Sequence, residues 1–200
     1  MVGGHQKHYF CDAITHFLHL IFERPALASQ TLVSYRGSGQ PFHQDSAYVP
    51  YSLPLQFTAS WIALENVAAG AGELEYLVGS HNALPEYTYP GGYKSASESQ
   101  RYGTEKAAVS EAIKVHEKQI ATEGQRRALT RETLLAKRGD VLFWHADLAH
   151  GGSPISLSRS RKSVVTHSLS EGSGAIVFRK CPGDDTQTRR LQLLLVRGVP

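Results

Sequence analysis

The stretch "GDVLFWHADLAHGGSPISLSRSRKSVVTHSL", residues 139–169, decides the fold class. Gly139-Asp140 reads as a turn, and Val141–Trp144 reads as a buried strand. His145, Asp147 and His150 follow at its exit. The segment 162–169, KSVVTHSL, is a second β-branched run. Strand alternation puts Arg161, Ser163, Val165 and His167 on one face and turns Lys162 and Thr166 to the other. Working outward, TLVSYRG (31–37), QFTASWIALENV (56–67) and GELEYLVGS (72–80) have the same texture, bounded by Gly, Pro, Ser and Asn. One early helix stands out at residues 9–24, where Phe10, Ile14, Phe17, Leu18 and Ile21 recur at helical spacing before Pro25. His16 and His19, three apart on it, read as surface residues. Several short strands and one early helix predict a mainly β fold with helical decoration, a β-sandwich or jelly roll.

Two hundred residues suit one domain over 1–200 with a full core. Residues 83–132 interrupt the strands. A loop rich in Tyr, Gly, Ser and Pro is followed by EKAAVSEAIKVHEKQIAT, which sets Val109, Ala112, Ile113, His116 and Ile120 along one helical stripe. Such a loop-plus-helix insert is a candidate substrate lid. Its Tyr87, Tyr89, Tyr93 and Tyr102 either line that lid or pack the insert onto the core. In the tail, LQLLLV reads as a short strand or a partner contact.

The formal charge of +3, with basic residues scattered, argues against nucleic acid or an anionic membrane as partner. Cys11 and Cys181 form no CxxC, so neither a disulfide framework nor a zinc ribbon is indicated. Without an apolar signal core or a membrane-length window, the expectation is a soluble cytoplasmic protein. The oligomeric state is left open.

Ten histidines are the unusual count. In "PFHQDSAYVP", residues 41–50, His43 and Asp45 stand two apart, so an extended backbone points both at a common atom. A catalytic metal wants a third ligand, and either His145 or His150 could supply it. Two histidines and one carboxylate make the facial arrangement of non-haem Fe(II) oxygenases, which keeps coordination positions open. A closed structural zinc site would call for four ligands, usually with Cys. A co-substrate such as 2-oxoglutarate needs a cation for its distal carboxylate, and Arg161 has the right placement.

The ordered set "GSGQPFHQDSAYV", "ASWIALENVAAGAGELEYLVGSHN" and "RGDVLFWHADLAHGGSPISLSRSRKSVVTHSL" resembles the phytanoyl-CoA dioxygenase-like family of Fe(II)/2-oxoglutarate oxygenases across residues 37–169. The resemblance implies a double-stranded β-helix (jelly roll, cupin-like) core with an N-terminal helix and a helical lid. It implies iron on His43, Asp45 and His150, with His145 in a structural role. Arg161 takes the C5 carboxylate of 2-oxoglutarate, Trp61 lines that pocket, and Gly79-Ser80-His81 matches a scaffold turn. The family's serine after the third ligand is displaced by one residue here, which makes Ser153 its counterpart as a co-substrate contact. The segment before His43 is short for the family. The activity implied is hydroxylation of an aliphatic carbon of a small molecule, using O₂ and releasing succinate and CO₂. Asp45 favours hydroxylation over halogenation, whereas desaturation and ring closure stay open. The rival readings are a catalytically inactive jelly-roll binding protein and a zinc-dependent hydrolase.

Overall fold

The computed structural model describes residues 12–48, 56–171 and, for the backbone alone, 194–196. Helix α1 (Asp12–Phe22) buries Ile14, Leu18 and Phe22, one residue per turn along a single stripe, while His16 and His19 are exposed. It stops just before Pro25, which has no N–H to continue a helix.

The strands are β1 (Ala26–Ser34), β2 (Phe57–Ala63), β3 (Leu74–Leu77), β4 (Arg131–Leu134), β5 (Val141–His145), β6 (His150–Gly152), β7 (Ser163–Ser170) and β8 (Leu194–Val196). They form two antiparallel sheets, ordered β5-β2-β7-β1-β8 and β4-β3-β6. Ala59, Trp61 and Ala63 of β2 and Trp144 of β5 pack against Leu74 of the smaller sheet, so the core lies between the sheets. Their sequence neighbours Ile62 and Phe143 point the other way, onto α1. This division follows from the two-residue period of a strand. Trp61 and Phe57 are both almost fully buried. Removing a ring of that size from water contributes about 4–6 kcal/mol at about 25 cal/mol per Å².

Several elements depart from the sequence expectation. Strand β1 starts at Ala26 instead of Thr31, because β7 supplies ladder partners for the weakly β-prone ALASQ, with a register shift between Ala28 and Gln30. Strands β4 (RETL) and β6 (HGG) have no β-branched run and exist because both pair with β3. The GSH turn ends β3 early. Gly79 adopts φ 75°, and the short helix α2 (Ser80–Ala83) follows it.

The insert holds α3 (Ala96–Arg101) and α4 (Lys106–Arg126). Ser95 caps α3 by accepting from the Glu98 N–H, an S-x-x-E capping signal that the sequence carries. On α4, Val109, Ala112, His116 and Ile120 are buried along the expected stripe. Ile120 packs on Leu77 and Ala149, and Val109 and Ala112 pack with Tyr89 and Ala47. Tyr87 and Tyr89 therefore fasten the insert to the core, and Tyr93 stacks on Tyr102 at 5.2 Å. Of LQLLLV, residues 194–196 are a strand on the edge of β1. Phe10, Cys11 and Cys181 lie outside the described residues. Among the described residues no helix is long and apolar enough to cross a membrane.

Candidate metal centre

Two backbone hydrogen bonds place His43 beside His150. His43 N donates to His150 O at 2.9 Å, and His150 N donates to His43 O at 3.0 Å. The flanking bonds Gly152 N to Gln40 O (2.9 Å) and Ser46 N to Ala146 O (3.2 Å) continue the alignment. Cross-strand pairing thus brings together two imidazoles that are 107 positions apart, with ring centroids 4.4 Å apart. Gln44 is extended (φ −116°, ψ 135°), and a 3₁₀ turn at Asp45–Ala47 then swings the Asp45 carboxylate to the same side.

Each imidazole has its tautomer set by a carbonyl, which can only accept. His43 Nδ1 donates to Pro41 O at 2.9 Å, and His150 Nδ1 donates to Leu148 O at 2.8 Å. That leaves both Nε2 atoms turned toward Asp45 Oδ1, at 3.9 Å from His43 and 3.7 Å from His150. Two metal bonds of about 2.1 Å reach across at most about 4.2 Å, so each histidine nitrogen can share an ion with Asp45 Oδ1, and all three donor atoms lie within 4.8 Å of one another. All three residues are buried, and they are the metal-capable cluster found among the described residues. Burial, with the charge of His150 adding to it, lowers His43 to about 4, so its ring is neutral near pH 7 and its Nε2 is free to ligate. Burial alone would raise the Asp45 carboxyl. The charge of His150, the hydrogen bond and charge of His167, and the charge of His43 outweigh it and hold Asp45 well below the usual carboxylate range.

The other oxygen of Asp45 is held from behind. Trp144 Nε1–H donates to Oδ2 at 2.8 Å, and His167 Nε2 lies 3.4 Å from the same atom. The sequence reading gave neither residue a role at the metal. For His167 a signal existed, since it shares a face with Arg161. Trp144 had no signal beyond its place on a core strand. His145, the alternative third ligand, accepts from its own loop through Asp147 N–H to Nδ1 (3.1 Å).

Arg161 is buried, donates from Nη1 to Gly72 O at 2.6 Å, and has its guanidinium carbon 5.8 Å from the Trp61 ring centroid. Burial lowers its pKa, and the neighbouring charge of Glu73 partly offsets this. Register pairs Ala59 with His167, Trp61 with Val165 and Ala63 with Ser163, so these side chains share the inner face. On that face Arg161 Nε, Trp61 Nε1, Ser163 Oγ and His167 Nδ1 have no hydrogen-bond partner among the described residues. Ser153 is differently placed. Its hydroxyl donates to Glu73 Oε2 at 2.5 Å and its N–H to Glu73 O at 2.8 Å, so the hydroxyl is committed to a carboxylate.

The description "Phytanoyl-CoA dioxygenase (PhyH)" matches residues 3–163, most of the chain. The chain belongs to the phytanoyl-CoA dioxygenase family. The human peroxisomal phytanoyl-CoA dioxygenase is 28% identical over 135 residues, covering 65% of this chain, and the chain spans about a third (33%) of the human protein. Among solved structures, the non-heme alpha ketoglutarate dependent epimerase SnoN of nogalamycin biosynthesis has a TM-score of 0.56 at 19% identity, covering 92% of this chain and 70% of its own. The carbocyclase SnoK, described in the same terms, has 0.54 at 17% identity, with 78% and 55% covered. At such identities these likenesses speak for the fold, and the double-stranded β-helix expected of a phytanoyl-CoA dioxygenase family member is the architecture found.

Proposed function

We propose that the chain is a non-haem Fe(II)- and 2-oxoglutarate-dependent oxygenase that hydroxylates an aliphatic carbon of a small molecule. The observation that carries this is the convergence of the Nε2 atoms of His43 and His150 on one carboxylate oxygen, with each Nδ1 held by a backbone carbonyl. Two imidazole nitrogens and one carboxylate oxygen this close together form a donor set suited to a divalent cation. His43, Asp45 and His150 would hold the iron through Nε2, Oδ1 and Nε2. Bound there with 2-oxoglutarate and O₂, iron supplies the oxidation of a C–H bond to C–OH, with succinate and CO₂ released.

The chain's own residues orient and enclose. Trp144 and His167 fix Asp45 through Oδ2 and leave Oδ1 for the metal. The unpartnered donors of the inner face fit a dicarboxylate: Arg161 offers charge, and Ser163 and Trp61 offer further N–H and O–H groups. Because Ser153 is engaged by Glu73, Ser163 is the hydroxyl we assign to the C5 carboxylate beside Arg161. Burial of the whole set excludes water from the reacting centre.

A cavity of about 480 Å³ lies between the insert and the metal-binding loop, with Gln44, Ala47, His81, Tyr87, Lys94 and Glu98 among its walls. The lining mixes polar side chains with Leu84, Pro85 and Tyr87, and its charged Lys94 and Glu98 suit a hydrophilic small molecule better than a long acyl chain. The test of the reaction class is anaerobic addition of Fe(II) and 2-oxoglutarate, which should give the weak visible metal-to-ligand charge-transfer band. A folded protein that shows no band at saturating reagents would sink the oxygenase reading. Succinate release against a panel of hydrophilic and acyl substrates then tests the substrate class.

A further inference from the structure

Gln44, between two of the metal ligands, turns its side chain away from them and into a buried chain of hydrogen bonds that ends on the insert. Its Nε2 donates to Asp147 O at 2.6 Å, which orients the carboxamide and leaves Oε1 facing His116 Nε2 at 3.1 Å. A carboxamide oxygen only accepts, so His116 carries its proton on Nε2, and Nδ1 accepts from the Tyr89 hydroxyl at 2.9 Å. Gln44, His116 and Tyr89 are all buried, with 8%, 6% and 2% of their surfaces exposed. Tyr87 stacks flat on the His116 ring (4.4 Å, 5°) and donates its hydroxyl to Ala112 O one turn earlier on α4. Both ends of the Gln44 carboxamide have a directional partner, so flipping it would break both bonds.

We propose, resting on the metal reading above, that His116 is a positioning residue of the metal centre: from α4 it fixes Gln44, and through that backbone it sets the spacing of His43 and Asp45. The physical reason is leverage. His43 and Asp45 are the residues immediately on either side of Gln44, and the backbone turns from extended to 3₁₀ at this point. Releasing the Gln44 side chain frees its ψ and moves one ligand relative to the other. The insert is then part of the metal-holding scaffold as well as a wall of the cavity. Gln44 and His116 both border that cavity, so a bound substrate contacts the same link.

The probe is Mn(II) alone, titrated by competition against a coloured chelator, with far-UV circular dichroism and thermal unfolding of the metal-free proteins measured alongside. His116→Phe keeps a ring for Tyr87 to stack on and removes both hydrogen bonds. It should bind Mn(II) at least tenfold more weakly at temperatures where its dichroism equals the wild type. His116→Gln, which can still donate to Gln44, should recover most of the loss, and a merely structural role for the ring would not produce that rescue. If His116→Phe does not fold, Tyr89→Phe decides: it should lose affinity in the same direction by several-fold. Folded variants that all bind Mn(II) within twofold of wild type overturn the proposal alone. A folded wild type that binds no Mn(II) ends the metal reading and this proposal with it.

Discussion

The indole N–H of Trp144 donates to Asp45 Oδ2 at 2.8 Å, across 99 residues of sequence. With Oδ2 so engaged, and His167 lying 3.4 Å from it, the carboxylate has one oxygen left for the histidine pair. A hydrogen bond to a buried charge is worth about 1.5–3 kcal/mol. Trp144→Phe should therefore lower the unfolding free energy of the metal-free protein by about that amount in urea titration. It should also cut Mn(II) affinity about 10- to 100-fold, as loss of a ligand's supporting partner generally does. Retained affinity at reduced stability would mean that Trp144 serves packing only.

Arg161 and Ser163 should separate co-substrate binding from metal binding. In calorimetry with the Mn(II)-loaded protein, Arg161→Ala should weaken 2-oxoglutarate binding by more than tenfold, because it removes the buried charge. Ser163→Ala should weaken it several-fold, the scale of one hydrogen bond. Both should leave Mn(II) affinity close to wild type. Ser153→Ala should leave 2-oxoglutarate affinity unchanged and lower stability, since its hydroxyl serves Glu73. A larger effect at Ser153 than at Ser163 would reverse this assignment.

How much of this was legible in the sequence depended on range. The α4 stripe is a local periodicity, and His116 sits where it puts it. On α1 the period holds for Ile14 and Leu18 while Phe17 and Ile21 are exposed, and Asp45 reaches the side of His43 through a 3₁₀ turn instead of the extended alternation. Strand β6 was not legible, because HGG has no β propensity of its own and is a strand only because β3 offers it a ladder. The same limit hid the grip of Trp144 and His167 on Asp45, which depends on how β5 and β7 lie about the 3₁₀ turn. For the serine, spacing and register point to different residues: spacing led to Ser153, whereas Ser163, on the inner face with Arg161, has no hydrogen-bond partner among the described residues.

Acid should destabilise the metal-free protein earlier than carboxylate titration would predict. Burial lowers both His43 and His116 to about 4, against about 6.5 for a free imidazole. Between those values the unfolded chain binds more protons than the folded one, so stability is complete above about pH 6.5 and is lost as pH falls toward 4. The slope is up to about 1.4 kcal/mol per pH unit for each histidine. Asp45, depressed when folded, adds a loss in the same direction only below its ordinary carboxylate range. Urea midpoints from pH 7 to pH 4.5 should fall steadily, and His116→Phe should show about half the slope. A flat profile across that window would contradict the neutral, buried state of both rings.

Gly151 makes the strongest claim on backbone geometry. A β-carbon there would lie 2.8 Å from Gln40 O, 3.1 Å from Phe42 N and 3.1 Å from Pro41 C, all backbone atoms of the segment leading into His43. None of these can rotate aside, so the methyl of Gly151→Ala must push residues 40–42 away from β6. That strains the bonds which hold His43 against His150. Overpacking of this kind costs about 1–3 kcal/mol. Gly79→Ala is a matched control, because its β-carbon meets nothing within 4 Å and its cost is the strain of φ 75°, about 1–2 kcal/mol. The two variants should lose similar stability, yet only Gly151→Ala should lose Mn(II) affinity, by tenfold or more. Equal metal affinity in the two would show that the histidine pair tolerates displacement of residues 40–42, and that the backbone ladder between His43 and His150 is not what holds the metal ligands in register.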